Sequence, residues 1–400
     1  MPITIQTNTC RDLVPLATIR FAQENVCRAK VIEIVDPIDN LLVWDSDILD
    51  ELRRPSTLPL ERLVVELQRP RLTSHPSRSF TTLNTPFLYH VSLTNTFIPI
   101  TSSLLTYLEI IHNPPLSISS ALPWSLLWKA IKGSSQLQVI RLIQTVPFLT
   151  PHEMEEHRRE PIVNLPHLTE LRAYGFVKGC QALWAHLIVP ATAMVDVCVD
   201  CAEDWEADGV GDVDTTSAAH IHRLTFIQEL LSHARALRPD MPVTGLSIVE
   251  DNISDILRLR FCTHVNGLRS PSLAMTHAFA CDFTCLLDIT LHGRDQTSEL
   301  SVDVLQYIGL HFDASSIEVL ELYSPTFYEI DQLHFRPLIS LFFLSPRGGV
   351  GLEGSKEEDF VNMLRFRTEI NLGLQSLSVK DVRLACKESL GWMTGEDWAA

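Results

Sequence analysis

The stretch Leu105-Thr-Tyr-Leu108-Glu-Ile110-Ile-His-Asn113 decides how this chain is read. Its apolar residues fall in the pattern Leu-x-x-Leu-x-Ile-x-x-Asn, the half-repeat of leucine-rich arrays, in which a short strand sends alternate side chains into a core. Leucine is common, so one copy proves little and recurrence carries the inference. Related triplets stand at Leu60/Leu63/Val65, Leu88/Val91/Leu93, Leu137/Ile140/Leu142 and Leu168/Leu171/Ala173. Later copies are Val243/Leu246/Ile248, Leu286/Ile289/Leu291, Ile317/Leu320/Leu322 and Leu374/Leu377/Val379, with Leu338/Leu341/Phe343 a weaker one. The starts are irregularly spaced, roughly 17 to 45 residues apart, as in a divergent array.

Several segments between the triplets change to helical periodicity. After Pro123, Leu126, Leu127, Ala130 and Ile131 form one stripe that Gly133 ends. Between Ser217 and Arg238, Ile221, Leu224, Ile227, Leu231 and Ala234 share a face, with Pro239 as the stop. Phe360, Val361 and Leu364 do the same between Glu357 and Arg367. Strands alternating with helices predict an α/β fold: an irregular leucine-rich-repeat solenoid, a horseshoe with a curved parallel sheet inside and helices outside. The expected organisation is a single domain over residues 1–400, with an acidic loop at 200–216 and a Gly-rich loop at 345–356. Asp200, Glu203, Asp204, Glu206, Asp208, Asp212 and Asp214 make the first of these a solvated segment, since their spacing is not that of a calcium loop.

Composition narrows the function. With 46% hydrophobic residues the chain has ample material for a core. A net charge of -17 opposes phosphate backbones and anionic lipid, so neither nucleic acid nor a membrane is an expected partner. The start, Met-Pro-Ile-Thr-Ile-Gln-Thr-Asn, lacks the basic and apolar parts of a secretory leader. The most apolar short run, Leu338 to Leu344, is far short of the roughly 20 residues that span a bilayer. Nine cysteines (10, 27, 180, 198, 201, 262, 281, 285 and 386) form no tight framework and fit reduced thiols in the cytosol or nucleus. In that setting the sequon Asn252-Ile-Ser254 is a chance match.

Motifs with chemical meaning are each outweighed. Gly349-Val-Gly351-Leu-Glu-Gly354 spells Gly-x-Gly-x-x-Gly after an apolar run and would serve a nucleotide-dependent enzyme, the rival reading. No first half of a dinucleotide-binding unit precedes it, and glycine clusters chiefly mark loops. Cys198/Cys201 and Cys281/Cys285 have metal-compatible spacings, but the pairs lie far apart in sequence, and buried free thiols are the favoured reading. His152 and His157 are five positions apart rather than four, which does not place two ligands on one helical face. Gly245-Leu-Ser247-Ile-Val249 lacks the second glycine of a nucleophile elbow. No enzyme activity, cofactor or metal is expected.

The order of elements is itself informative. Pro59 to Leu63 and Thr85 to Asn95 lead into Ser103 to Ile110, then Leu122-Pro-Trp-Ser-Leu-Leu-Trp-Lys-Ala-Ile131 and Leu137 to Leu142. Asn164 to Arg172, Cys180 to Leu187 and the strand Val195-Asp-Val-Cys-Val-Asp200 follow. This succession resembles the leucine-rich region of the fungal F-box proteins over residues 20–325, most closely over 55–200. The resemblance implies a protein that selects substrates for a cullin-type ubiquitin ligase, whose F-box would dock on the Skp adaptor. No Leu-Pro-x-Glu segment with a Trp-containing end is found ahead of the repeats. Skp and cullin binding therefore does not follow from these residues, and the chain reads as a truncated version or a free-standing binding module.

In such strands, residues flanking the second and third framework positions line the concave face. That rule predicts a protein-binding surface made of His90, Tyr107, Glu109, Arg141, Glu170, Arg172, Tyr174, Asp288, His292, Glu321 and Tyr323. Tyr and Arg suit this role because they join broad contact area to directional hydrogen bonds. Glu170, Arg172 and Tyr174 share one strand, and Arg141 is expected on the next.

Overall fold

Residues 3–8, 24–25, 28–36, 59–67, 82–113, 124–146, 149, 151–200, 213–235, 243, 245–251, 256–264, 283–292, 304, 307–308, 319–323 and 376–379 are described in a computed structural model of the chain. The chain expected as one array groups into two compact units, Met1–Val199 and Asp200–Ala400. The fold is α/β and its sheet pairings are mostly parallel.

In the first unit the long strands are β1 (Ile3–Asn8), β2 (Ala29–Asp36), β3 (Arg62–Leu67), β5 (His90–Thr94), β7 (Tyr107–Ile111), β8 (Val139–Val146), β10 (Glu170–Phe176) and β12 (Met194–Asp200). Short β4 (Leu83–Asn84), β6 (Ile100–Thr101), β9 (Val163–Asn164) and β11 (Leu187–Ile188) lie on the paths between them. The helices are α1 (Trp124–Lys132), α2 (Pro151–His157) and α3 (Val177–Ala185). The long strands stand side by side in chain order, and every pairing from β1 through β10 is parallel. The short strands pair in parallel too, β4 with β6 and β9 with β11.

The repeat triplets explain this order. Leu63, Val91, Leu108, Ile140 and Leu171 are direct cross-strand partners, as are Val65, Leu93, Ile110, Leu142 and Ala173. Both rows are buried, together with the leading Leu60, Leu88, Leu105, Leu137 and Leu168. A one-residue slip would expose every one of them, so burial fixes the register. The leading leucines close tight turns, with Leu88 N donating to Thr85 O at 3.1 Å and Leu168 N to Leu165 O at 3.1 Å. The residue after each carries a ladder across the sheet edge: Glu61 N to Lys30 O, Tyr89 N to Glu61 O, Thr106 N to Tyr89 O, Gln138 N to Thr106 O and Thr169 N to Gln138 O, at 2.8–3.0 Å.

Two local features adjust the ladder. Asn95 adopts a left-handed φ of 58°, which Asn tolerates better than most residues. Its Nδ2 donates to Leu67 O at 2.7 Å and its Oδ1 accepts from Asn113 N at 2.6 Å, tying together the ends of β3, β5 and β7. In β8, Gln144 has φ 56°, and the β8–β10 register shifts before Gly175 pairs with Val146. A Cβ on Gly175 would stand 2.4 Å from the Val146 carbonyl oxygen, so this crossing admits only glycine.

Helix α1 matches the expected stripe with one change: Leu127, Ala130 and Ile131 are buried, while Trp124 and Trp128 replace Leu126 in the core. Gly133 N closes the last turn on Lys129 O at 3.1 Å. α1 packs against β6, and α3 against β10.

The second unit holds α4 (Val213–Arg235), β13 (Gly245–Asp251), β14 (Ile256–His264), β15 (Phe283–His292), β16 (Val319–Tyr323) and β17 (Ser376–Val379), with strand order β15-β14-β13-β16-β17. β13–β16 and β16–β17 are parallel. β14, an element the triplets do not announce, pairs antiparallel with both β13 and β15, which corrects the expectation of an all-parallel sheet. Against β13 the physical reason is the short link from Asp251 to Ile256, because a parallel return needs a crossover of about a dozen residues or more; the longer stretch from His264 to Phe283 allows either direction. The acidic segment is also shorter than expected: Asp200 ends β12 and residues 213–216 are helical, leaving 201–212 outside the described residues. On α4 the buried stripe is Arg223, Phe226, Ile227, Leu230 and Leu231, whereas Ile221, expected inside, is 58% exposed. Phe226 is the largest apolar side chain available, and burying it against the β15 side turns Ile221 outward. The expected helix at Glu357–Arg367, the triplet at Leu338 and the glycine motif Gly349–Gly354 lie outside the described residues. Among the described residues no helix is long and apolar enough to cross a membrane.

Candidate protein-binding face

Alternation along β5, β7, β8 and β10 turns one set of side chains into the core and leaves the other set on the opposite face. Register brings that second set together: His90 opposite Tyr107, Ser92 opposite Glu109, Glu109 opposite Arg141, and Arg141 opposite Arg172. The seven residues predicted on these strands, His90, Tyr107, Glu109, Arg141, Glu170, Arg172 and Tyr174, thus share one continuous face.

Arg141 organises it. Its Nε and Nη2 donate to the two Glu170 oxygens at 2.7 and 3.1 Å, and its Nη1 reaches Tyr107 Oη at 3.1 Å and Glu109 Oε1 at 3.4 Å. The guanidinium also lies 5.6 Å from the Tyr107 ring centre. The hydrogen bond to Glu170 raises the Arg141 pKa further, so this cation stays charged. For Glu170, burial pushes the carboxyl up, but the hydrogen bond and charge of Arg141, joined by Arg172, outweigh it and hold the carboxyl below its ordinary value.

Neighbouring groups extend the network. Ser92 Oγ donates to Glu109 Oε2 at 2.7 Å, and Tyr174 Oη donates to Asp196 Oδ2 at 2.6 Å. Burial, then the Asp196 carboxylate, push the Tyr174 phenol up. His90 stacks on Tyr107 with ring centres 4.3 Å apart and planes 9° from parallel. Burial and the Arg62 charge hold His90 below its usual pKa, so it faces its surroundings as a neutral ring at pH 7. Arg62 in turn pairs with Glu33 at 3.2 Å.

Arg172 differs from Arg141. Its Nε lies 2.7 Å from Glu170 Oε1 and 4.0 Å from Asp196 Oδ2, but the first approach is off-axis and leaves that N–H without a hydrogen bond. Its Nη groups make no hydrogen bond among the described residues, and the side chain is 36% exposed. The face therefore contains one guanidinium saturated by its own protein and one with donors to spare.

The other predicted contacts fall in the second unit. Asp288 is buried beneath two arginines: Arg258 grips it with Nε at 2.8 Å and Nη2 at 2.5 Å, and Arg260 Nε adds a contact at 3.1 Å. What this patch presents outward is guanidinium rather than carboxylate. His292 lies at the end of β15 opposite Ile256, and Glu321 and Tyr323 are on β16 opposite Ser247 and Val249. Arg258 and Arg260 were missed, although Leu257-Arg-Leu-Arg-Phe261 alternates strictly and signals a strand. Asp196, Ser92 and Glu33 carry the same signal, each at an outward position between aliphatic neighbours, while Arg62 stands between Glu61 and the buried Leu63.

His152 is exposed, while His157 is buried, accepting from Trp124 Nε1 on Nδ1 at 2.9 Å and placing Nε2 2.8 Å from Ala182 O. Of the cysteine pairs, Cys201 and Cys281 lie outside the described residues, and no group of three or more His, Cys, Asp or Glu among the described residues could hold a metal. No protein-family model, no curated protein and no solved structure matches the chain.

Proposed function

We propose that the chain is a non-catalytic protein-recognition module of the leucine-rich, solenoid type, whose partner docks on the polar face of the first unit. The observation that carries this reading is the prearranged network Tyr107–Glu109–Arg141–Glu170–Arg172, part-exposed on one side of strands whose other side carries the buried aliphatic rows. A network whose side chains are already held pays little ordering entropy when a partner arrives. Strands laid down in chain order, with a second parallel pairing on the return paths, support the solenoid reading. The likeness to fungal F-box repeats adds a role in choosing ubiquitination substrates, with docking on Skp supplied from elsewhere.

Within the face, Arg141 acts as scaffold and Arg172, His90 and Tyr107 as contacts. The test is affinity purification of the chain from its native cell beside the double variant Arg172→Ala/His90→Ala, with folding checked by circular dichroism. A protein captured by the native chain and lost from the folded variant supports the face; identical capture by both rejects it. Skp and cullin among the captured proteins would place the module in a ligase, and a variant-sensitive partner without them would make it free-standing.

A further inference from the structure

The second unit carries a pair of thiols on adjacent strands. Cys262 on β14 and Cys285 on β15 are direct antiparallel partners, placed opposite one another by the register shift after Phe261. Antiparallel partners have Cα atoms about 4.5–5.5 Å apart, inside the range of about 4.4–6.8 Å that a disulfide requires. Both cysteines are free thiols. Cys262 is buried, whereas Cys285 is partly exposed and its Sγ lies 3.5 Å from Leu287 O. Cys285 is therefore the thiol nearer solvent, and Cys262, directly across the ladder, is placed to resolve it.

The surroundings give the pair a preference. Arg260 lies two residues before Cys262 on the same strand, and both Arg260 and Asp288 act electrostatically on Cys285. Two guanidiniums, Arg258 and Arg260, both bound to Asp288, stand close to the pair. A small disulfide that itself bears carboxylates is drawn there in preference to a neutral one.

We propose that Cys262 and Cys285 form a reversible modification site, closing to a cross-strand disulfide by exchange with an anionic low-molecular-weight disulfide. The Cys285 thiolate attacks one sulfur of RS–SR, making Cys285–S–S–R and releasing RS⁻. The Cys262 thiolate then attacks the Cys285 sulfur, closing the protein disulfide and releasing the second RS⁻. The two protons lost by the cysteines appear on the two RSH products, and the two electrons given up by the protein reduce the small disulfide. The hydrogen bond with Cys262, then burial, push the Cys285 thiol well up, so exchange is slow at neutral pH and accelerates as pH rises.

The test treats the full chain at pH 8 with oxidised glutathione, which is anionic, or with hydroxyethyl disulfide, which is neutral, and maps the products by peptide mass spectrometry. The expected product is a Cys262–Cys285 crosslink in the folded chain, reversed by dithiothreitol and formed several-fold faster with glutathione at low salt than at high salt. Cys262→Ser should halt the reaction at a glutathione adduct on Cys285. Modification confined to other cysteines, or a Cys285 adduct that never resolves in the native chain, overturns the site. A crosslink formed at equal rates from both reagents overturns its charge preference.

Discussion

The two units build strands from the same aliphatic spacing and arrange them differently. In the first, each long strand joins the sheet beside its predecessor, and from β1 through β10 in the same direction. In the second, β14 runs against both neighbours. The framework spacing therefore states which side chains are buried and is silent on strand direction; the short link from Asp251 to Ile256 accounts for the reversal of β14 against β13 alone. The polar faces diverge as well: in the first unit carboxylates surround the arginines, and in the second two arginines surround one carboxylate.

Substitutions can break or sharpen that contrast. The largest effects are expected where the backbone or core is closed to change: Gly175→Ala drives a methyl into the Val146 backbone and should cost about 3 kcal/mol, read as a lower urea midpoint. Leu108→Ala in the first unit and Leu259→Ala in the second remove equivalent buried side chains and should each cost about 3 kcal/mol. A large inequality between them would show that strand direction matters to the core as well as to the edges. Asn95→Ala should cost about 2 kcal/mol, since it strands Leu67 O and Asn113 N and puts alanine at a left-handed φ. Arg141→Met should cost about 1 kcal/mol, because its partly exposed partners regain water. If it matched Leu108→Ala, the division between an aliphatic face that stabilises and a polar face that recognises would fail.

A pH effect should also appear. Burial holds His157 below its free pKa of about 6.5, with Nδ1 already occupied by the Trp124 N–H. The unfolded chain therefore takes up a proton before the folded one does. The stability associated with neutral His157 is complete above about pH 6.5 and is lost as pH falls through the lower folded value, with His90 acting in the same direction. Urea titrations at descending pH should show this decline, and His157→Gln should flatten it; an unchanged slope in the variant would assign the effect elsewhere.

How far the sequence could be read follows from these particulars. The rows from Leu63 to Leu171 and from Val65 to Ala173 were legible because period-two burial is written in single residues. The same alternation placed Glu109, Arg141, Glu170 and Arg172 on one face, and Arg141 beside Arg172. It did not reveal that Arg141 is spent internally while Arg172 is not, which depends on distances between strands. Asn95 escaped notice because its partners, Leu67 and Asn113, lie on two other strands. Asp288 reads as a surface acid until the arginines of a separate, antiparallel strand are placed over it.

The in-order arrangement of the first unit bears on how it comes apart. Each strand is held by the strands formed just before and just after it, so opening can begin at an end and move inward one strand at a time. Backbone amides should then exchange with solvent in a gradient, fastest in β1 and slowest toward β7 and β8, where the aliphatic rows have neighbours on both sides. Asn95, clasping three strand ends at once, would act as the point where that unzipping stalls.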